Sequence, residues 1–147
     1  MQETFFMLHY DLQMKANRYA LLVSEAIKPD CIILYGSVAR NQDGPDSDID
    51  ILVIGGNLEP NWFTRLTQLS RLVDGNGPIE AIGYTRAEWD SMMKDKHVTV
   101  LEALNDGIPL HGKDLFAQWR SEFEHWQALG LRQIPACWIL PPVLQPA

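Results

Sequence analysis

The sequence has few cysteines and no long hydrophobic run. Cys31 and Cys137 are the only cysteines among 147 residues, and neither belongs to a Cys-x-x-Cys pair or has a histidine at metal-ligand spacing. A disulfide framework is therefore not expected, and reduced thiols in a cytoplasmic protein are favoured. No apolar run approaches the length of a membrane span. The segment Met1–Thr4 lacks the basic region of a secretory signal.

The sequence is also poor in positive charge. Lysine and arginine number 12 against 19 acidic residues, which gives a formal net charge of −7. Direct binding of nucleic acid needs a basic face, so we expect none here. The charge does not exclude a nucleotide that is held through metal ions. With 46% hydrophobic and 21% charged residues, the chain has the composition of one soluble globular domain.

The most informative feature that is present is an apolar segment with two aspartates one residue apart. The segment 48–54 predicts a strand, and side chains at i and i+2 of a strand share a face. Asp48 and Asp50 should therefore stand together, while Ile49, Ile51 and Val53 face a core on the other side. Neighbouring carboxylates repel one another unless a cation lies between them, and Mg²⁺ prefers oxygen ligands. The pattern predicts a magnesium site.

A second feature precedes it in the chain. The apolar run Cys31–Tyr35 predicts a strand that ends at Gly36-Ser37, where a short helical turn begins. Gly36 allows a close approach of the backbone, and Ser37 offers a hydroxyl and an N–H group, which are the groups that hold phosphate oxygens. Metal-binding carboxylates beside a phosphate seat form a site for a nucleoside triphosphate.

Three further residues are candidates for this site. Glu80, in the predicted strand 79–84, would be the third carboxylate for two metal ions and a catalytic acid or base, or else a solvated strand residue. Arg40 would neutralise the β- and γ-phosphates, or form a surface salt bridge with Asp43 or Asp46. Ser47 would contact the nucleotide or cap its turn.

The remaining pattern predicts a small α/β fold, with a mixed sheet flanked by helices. One helix, or two shorter ones, is expected over residues 4–28. The other expected elements are a helix over 62–73 with Asn61 as its N-cap, helices over 85–93 and 97–105, a strand over 108–111 and a helix over 114–129. Phe63, Leu66, Leu69, Leu72 and Val73 are expected to form the buried stripe of the helix over 62–73.

Gly36-Ser37, ten intervening residues and Asp48-Ile49-Asp50 resemble the signature of the DNA-polymerase-β-like nucleotidyltransferases. The closest branch is the minimal nucleotidyltransferases (MNT), which are often encoded beside HEPN-domain toxins. The resemblance runs over about residues 20–112 and includes Ile79–Thr85 and Gly107–Gly112. It implies the polymerase-β-like fold and places the third acid at Glu80, where the family more often has aspartate.

The resemblance also implies a function. Proteins of this kind use ATP and Mg²⁺ to transfer AMP to a tyrosine hydroxyl of a HEPN toxin, which silences it. We therefore expect two Mg²⁺ ions, ATP as substrate and a HEPN-type partner. Two alternatives stay open: a nucleotidyltransferase that acts on a small molecule such as an aminoglycoside, and an antitoxin that binds its partner without catalysis.

The C-terminal part matches no known pattern. We expect a nucleotidyltransferase domain over residues 1–112 and, over 113–147, a helix and an apolar, proline-broken tail. The helix carries Leu115, Phe116, Trp119, Phe123 and Trp126 at helical spacing. This aromatic stripe would pack on its own domain or form a contact with a partner or with a second copy of the chain.

Overall fold

The computed structural model describes residues 2–44, 47–73, 75 and 77–146, with side chains from Tyr10 onward. The helices are α1 (Gln2–Ile27), α2 (Gly36–Ala39), α3 (Trp62–Arg71), α4 (Arg86–Asp95), α5 (Val98–Asp106) and α6 (Lys113–Ala128). The strands are β1 (Cys31–Tyr35), β2 (Ile49–Ile54), β3 (Ile79–Tyr84), β4 (Ile108–His111), β5 (Arg132–Ile134) and β6 (Cys137–Ile139), and a 3-10 turn covers Pro142–Leu144. The segment predicted as one or two helices is the single helix α1.

Four strands form one mixed sheet in the order β3-β2-β1-β4. β1 is antiparallel to both β2 and β4, and β2 is parallel to β3. The predicted fold class, a small mixed sheet flanked by helices, is therefore confirmed. β5 and β6 form a separate antiparallel hairpin.

Both faces of the sheet are covered. Ile49, Ile51 and Val53 of β2 pack in one core with α1 and α3, as their alternation predicts. Leu52 and Ile54, which share the other face with Asp50, are also fully buried, in a second core with α4, α5 and α6. The aspartate-bearing strand is thus buried on both faces along most of its length, and Asp50 lies near the end where that burial stops.

Helix α3 departs from its predicted packing. Asn61 caps it as predicted, since its side chain accepts hydrogen bonds from the N–H groups of Phe63 and Thr64. However, Phe63 is 76% exposed, and Arg65 occupies the interior instead with only 1% of its surface exposed. The prediction of Phe63 in the buried stripe was wrong, because an arginine with a full set of partners took the inward position.

Arg65 connects three elements. Its guanidinium donates to the carbonyl groups of Glu59, Pro60 and Gly83 and to the Glu88 carboxylate, at 2.8 to 3.0 Å. Glu88 also closes the predicted capping box of α4 with Thr85. Burial acts to raise the pKa of Glu88, but the Thr85 hydrogen bonds and the Arg65 charge outweigh it and lower that pKa. The network fastens α3 and α4 to β3.

The aromatic stripe of α6 faces the chain itself. Phe116, Trp119, Phe123 and Trp126 are all buried, and the Trp119 ring lies 5.2 Å from that of Trp89 on α4. The tail folds back onto the same core, where Leu131 and Leu144 are buried. The indole N–H of Trp138 donates to Glu102 of α5 at 3.0 Å. Within the described residues, no helix is both long enough and apolar enough to cross a membrane.

Candidate active site

The three predicted acids lie at one end of the β2–β3 pair. Asp50 is the register partner of Glu80 across the parallel strands, so the two side chains stand side by side on one face. Asp48 precedes β2 rather than lying in it, and both Asp48 and Glu80 are exposed. No three histidine, cysteine or acidic side chains in the described parts of the chain come close enough together to hold a metal ion. The acids are neighbours, but they do not form a closed cluster.

The pKa of Asp50 reflects its closeness to the other two acids. Burial, and then the negative charges of Glu80 and Asp48, raise its pKa from 3.8 to about 6, while Arg40 acts in the opposite direction. A carboxylate in this position lacks enough positive charge to compensate it. A hard divalent cation would supply that charge, so the chemistry of these oxygen donors suits Mg²⁺, although their side chains are not gathered into a closed metal site. Asp48, Asp50 and Glu80 are the residues that would hold it.

The backbone at Gly36 lies directly against Asp50. Gly36 begins α2 with φ of +77°, a conformation that glycine adopts without strain. A Cβ atom at this position would overlap the Asp50 carboxylate. Ser37 follows in the first turn of α2, where no side chain caps the helix start. One of the predicted metal carboxylates, Asp50, thus lies directly against the predicted phosphate seat at Gly36.

Arg40 lies at the end of α2, close enough to act on Asp50 but held by other groups. Its Nε donates to the Gln42 side chain at 3.1 Å, and its guanidinium lies 3.9 Å from the Asp106 carboxylate on α5. No sequence pattern indicated Asp106, because it is distant along the chain and only the packing of α2 on α5 brings it near. The predicted salt bridge of Arg40 was with Asp43 or Asp46, and Asp46 lies outside the described residues.

Ser47 closes a turn. Its hydroxyl accepts a hydrogen bond from the Gly44 N–H at 2.8 Å, and its own N–H donates to the Gly44 carbonyl. This is the capping alternative, and its contact with a nucleotide stays a prediction.

Tyr35 was not identified as a site residue from the sequence. It is the register partner of Asp50 across β1 and β2, so Asp50 lies between Tyr35 and Glu80 in the sheet. Burial, together with the charge of Asp50, raises the pKa of Tyr35 to about 12, so its hydroxyl keeps its proton. The strand pattern would have revealed this neighbour only if the β1–β2 register had been known.

The profile of the family described as "Polymerase beta, Nucleotidyltransferase" matches residues 20–114, which is more than half of the chain and includes every residue of this site. The chain belongs to this nucleotidyltransferase family. No curated protein matches the sequence.

Solved structures share the fold of this nucleotidyltransferase. A candidate nucleotidyltransferase from Sulfolobus solfataricus is 22% identical with a TM-score of 0.53, and the match covers 71% of this chain and 84% of that one. A chain from a toxin–antitoxin complex with AMP-PNP is 23% identical with a TM-score of 0.50, over 77% and 90% of the two chains. At these identities the likeness establishes the fold alone.

Proposed function

We propose that this nucleotidyltransferase transfers AMP from ATP, with Mg²⁺, to a hydroxyl group of a partner protein, and that it acts as the antitoxin of a HEPN-type toxin whose tyrosine it modifies. The observation that carries the proposal is the contact between the two halves of the site, Asp50 beside Glu80 and directly against Gly36. The toxin–antitoxin complex with AMP-PNP that shares the fold supports the choice of nucleotide and of partner.

The reaction makes one bond and breaks one. The acceptor oxygen attacks the α-phosphorus of ATP and gives up its proton, and the bond between the α-phosphorus and the oxygen that bridges to the β-phosphate breaks. Pyrophosphate leaves with the electron pair of that bond, and AMP remains on the acceptor as a phosphodiester. Mg²⁺ ions bound at the acids would activate the acceptor oxygen and neutralise the charge on the leaving group.

The residues of the chain have separate roles in this step. Asp48 and Asp50 would hold the metal ions, and Glu80 would complete their ligands and accept the proton of the hydroxyl group. Gly36 and Ser37 position the phosphates through the backbone and the serine hydroxyl, and Ser47 supports them from the adjoining loop. Arg40 balances the charge that develops on the β- and γ-phosphates. To do so, the Arg40 guanidinium leaves its 3.9 Å contact with the Asp106 carboxylate and binds the triphosphate.

A labelling experiment tests the proposal. The purified chain is incubated with Mg²⁺ and ATP labelled in the α-phosphate, together with the product of the neighbouring gene, which we expect to be a HEPN-type protein. We expect label on that protein, and none when the label is in the γ-phosphate, because the β- and γ-phosphates leave together. The Asp48→Ala/Asp50→Ala variant should transfer nothing. If this variant silences the toxin as well as the wild type does, the protein neutralises its partner by binding alone.

Other acceptors are tested in the same format. The labelled reaction is repeated with an aminoglycoside in place of the protein, and with GTP, CTP or UTP in place of ATP. A product that forms only with the small molecule would contradict the proposal and establish the alternative acceptor class.

A further inference from the structure

Helix α1 presents a regular stripe of side chains to solvent. Its inward face packs on the sheet through Leu12, Ala16, Tyr19 and Val23. On the opposite face, Tyr10, Met14, Asn17, Leu21 and Ser24 recur at spacings of four, three, four and three residues. Tyr10 is 61% exposed and Leu21 66% exposed. This is the spacing of a coiled-coil seam, in which apolar positions of one helix pack against those of another.

The surface beside the stripe contains a notch that could receive a side chain from a facing helix. The notch of about 260 Å³ is lined by Asn17, Ala20, Leu21 and Ser24 of α1 and by Leu110 and His111 of β4. The four helix residues stand at i, i+3, i+4 and i+7, the diamond that receives one side chain from a facing helix. β4 is an edge of the sheet, and its Ile108 is 38% exposed. A helix seated here would cover Tyr10, Met14 and Leu21, the apolar members of the stripe, and would lie beside a strand edge that has no neighbouring strand among the residues that the structure describes.

The charges beside the stripe indicate which helix fits. Asp11, Arg18 and Glu25 follow one flank of the stripe seven residues apart, in the order acidic, basic, acidic. When two copies of a helix pair antiparallel about a two-fold axis, the same flank of each meets its copy. In the register that pairs Tyr10 of one helix with Leu21 of the other, Arg18 of each helix lies beside Asp11 of the other. A parallel pair would bring this flank against Ala20 and Ile27, which are buried in their own chain.

Two further observations support a second copy. Asp11 pairs with Lys15 at 3.1 Å, but in the described part of the chain neither Arg18 nor Glu25 has an ion-pair partner. Residues 10–28 also carry three basic and two acidic residues in a chain whose net charge is −7. The repulsion that would oppose self-association elsewhere on the surface is therefore absent here.

We propose that the exposed stripe of α1 is the interface of a homodimer, in which α1 packs antiparallel on α1 of a second copy. The dimer then forms through the N-terminal helix, whereas the aromatic side chains of α6 pack in the core of each chain. This surface lies apart from Asp48, Asp50 and Glu80, so it does not depend on the proposed chemistry.

The oligomeric state tests the proposal. Sedimentation velocity or light scattering of the full chain, up to about 100 µM so that weak association is also seen, should give twice the mass of 16.7 kDa. Leu21→Glu should weaken dimerisation at least about tenfold, because it places a charge at an apolar position of the seam. Phe63→Glu is the matched control, an equally exposed apolar position on α3, and should leave the dimer intact. Circular dichroism establishes that both variants fold.

A charge exchange tests the antiparallel arrangement. Arg18→Glu should weaken the dimer about two- to fivefold, as for an exposed ion pair. The combined exchange Asp11→Arg, Arg18→Glu and Glu25→Arg should restore it. A monomeric wild type, a dimer that Leu21→Glu leaves unchanged, or a failure of the exchange to restore association would overturn the proposal. If the wild type is monomeric and Leu21→Glu abolishes binding of the acceptor protein, the stripe serves that protein instead.

Discussion

Replacing Asp50 by asparagine should make the protein more stable while it abolishes catalysis. The carboxylate is held in a place that disfavours its charge, because burial comes first and Glu80 and Asp48 then add repulsion. Asparagine has nearly the same shape and no charge. We therefore expect Asp50→Asn to remove a cost that the wild type carries for the sake of its site.

The magnitude follows from the pKa. A rise from 3.8 to about 6 corresponds to about 3 kcal/mol when the carboxylate is fully ionised, at about 1.4 kcal/mol for each unit. Asp50 is partly exposed, so solvent screening reduces this to about 1–2 kcal/mol. For a chain of this length, the gain corresponds to a rise in Tm of about 2 to 8 °C.

The direction in which stability changes with pH follows from the difference in proton binding between the folded and unfolded chains. The folded chain binds the Asp50 proton more tightly than the unfolded chain does, so this residue makes the wild type less stable as the pH rises from about 4 to above 6. Below about pH 4 both states are protonated and the cost disappears. The gain in free energy of unfolding from Asp50→Asn should therefore be largest at pH 8 and about half as large at pH 5.

Thermal unfolding followed by circular dichroism, without divalent cations, measures the effect at both pH values. Asp48→Asn is the control, because Asp48 is exposed and its replacement should change stability by less than about 0.5 kcal/mol. Adding Mg²⁺ with a non-hydrolysable ATP analogue should stabilise the wild type and reduce the difference in Tm between Asp50→Asn and the wild type. An asparagine variant less stable than the wild type at pH 8, or a gain that does not fall at pH 5, would refute the reasoning.

Four further substitutions distinguish residues that serve the site from residues that stabilise the fold. Gly36→Ala places a Cβ atom at a residue with a left-handed backbone conformation and against the Asp50 carboxylate. The rate of AMP transfer should therefore fall at least about 100-fold. A variant with normal kcat/KM would contradict the close approach of Gly36 to Asp50. Arg65→Met removes the buried guanidinium from its four oxygen partners and should cost about 3–5 kcal/mol in urea unfolding, whereas Glu88→Gln, at a partner that is 45% exposed, should cost far less. Trp119→Ala should cost about 3–5 kcal/mol, because the ring is buried against Trp89; a loss below about 1 kcal/mol would place α6 outside the core.

The sequence by itself predicted the order of the elements as far as α6 and named the candidate site residues. The alternation along Ile49–Ile54, the turn at Gly36-Ser37 and the capping box at Thr85 are local patterns, and local patterns express the geometry of strands, turns and helix starts directly. The strands β1 and β3 therefore have their predicted bounds, and the mixed sheet was expected. Asp48 was predicted in the strand β2 but precedes it. The roles of the individual site residues stay predictions.

Only the tertiary structure decided which groups meet across the chain. The register that places Asp50 between Tyr35 and Glu80, the approach of Arg40 to Asp106 and the burial of Arg65 all join residues that are distant in sequence. Hydrophobic periodicity predicted the wrong inward residue on α3, because an arginine can be buried where carbonyl groups and a carboxylate satisfy it. Such partners are gathered by packing, and no local pattern records them.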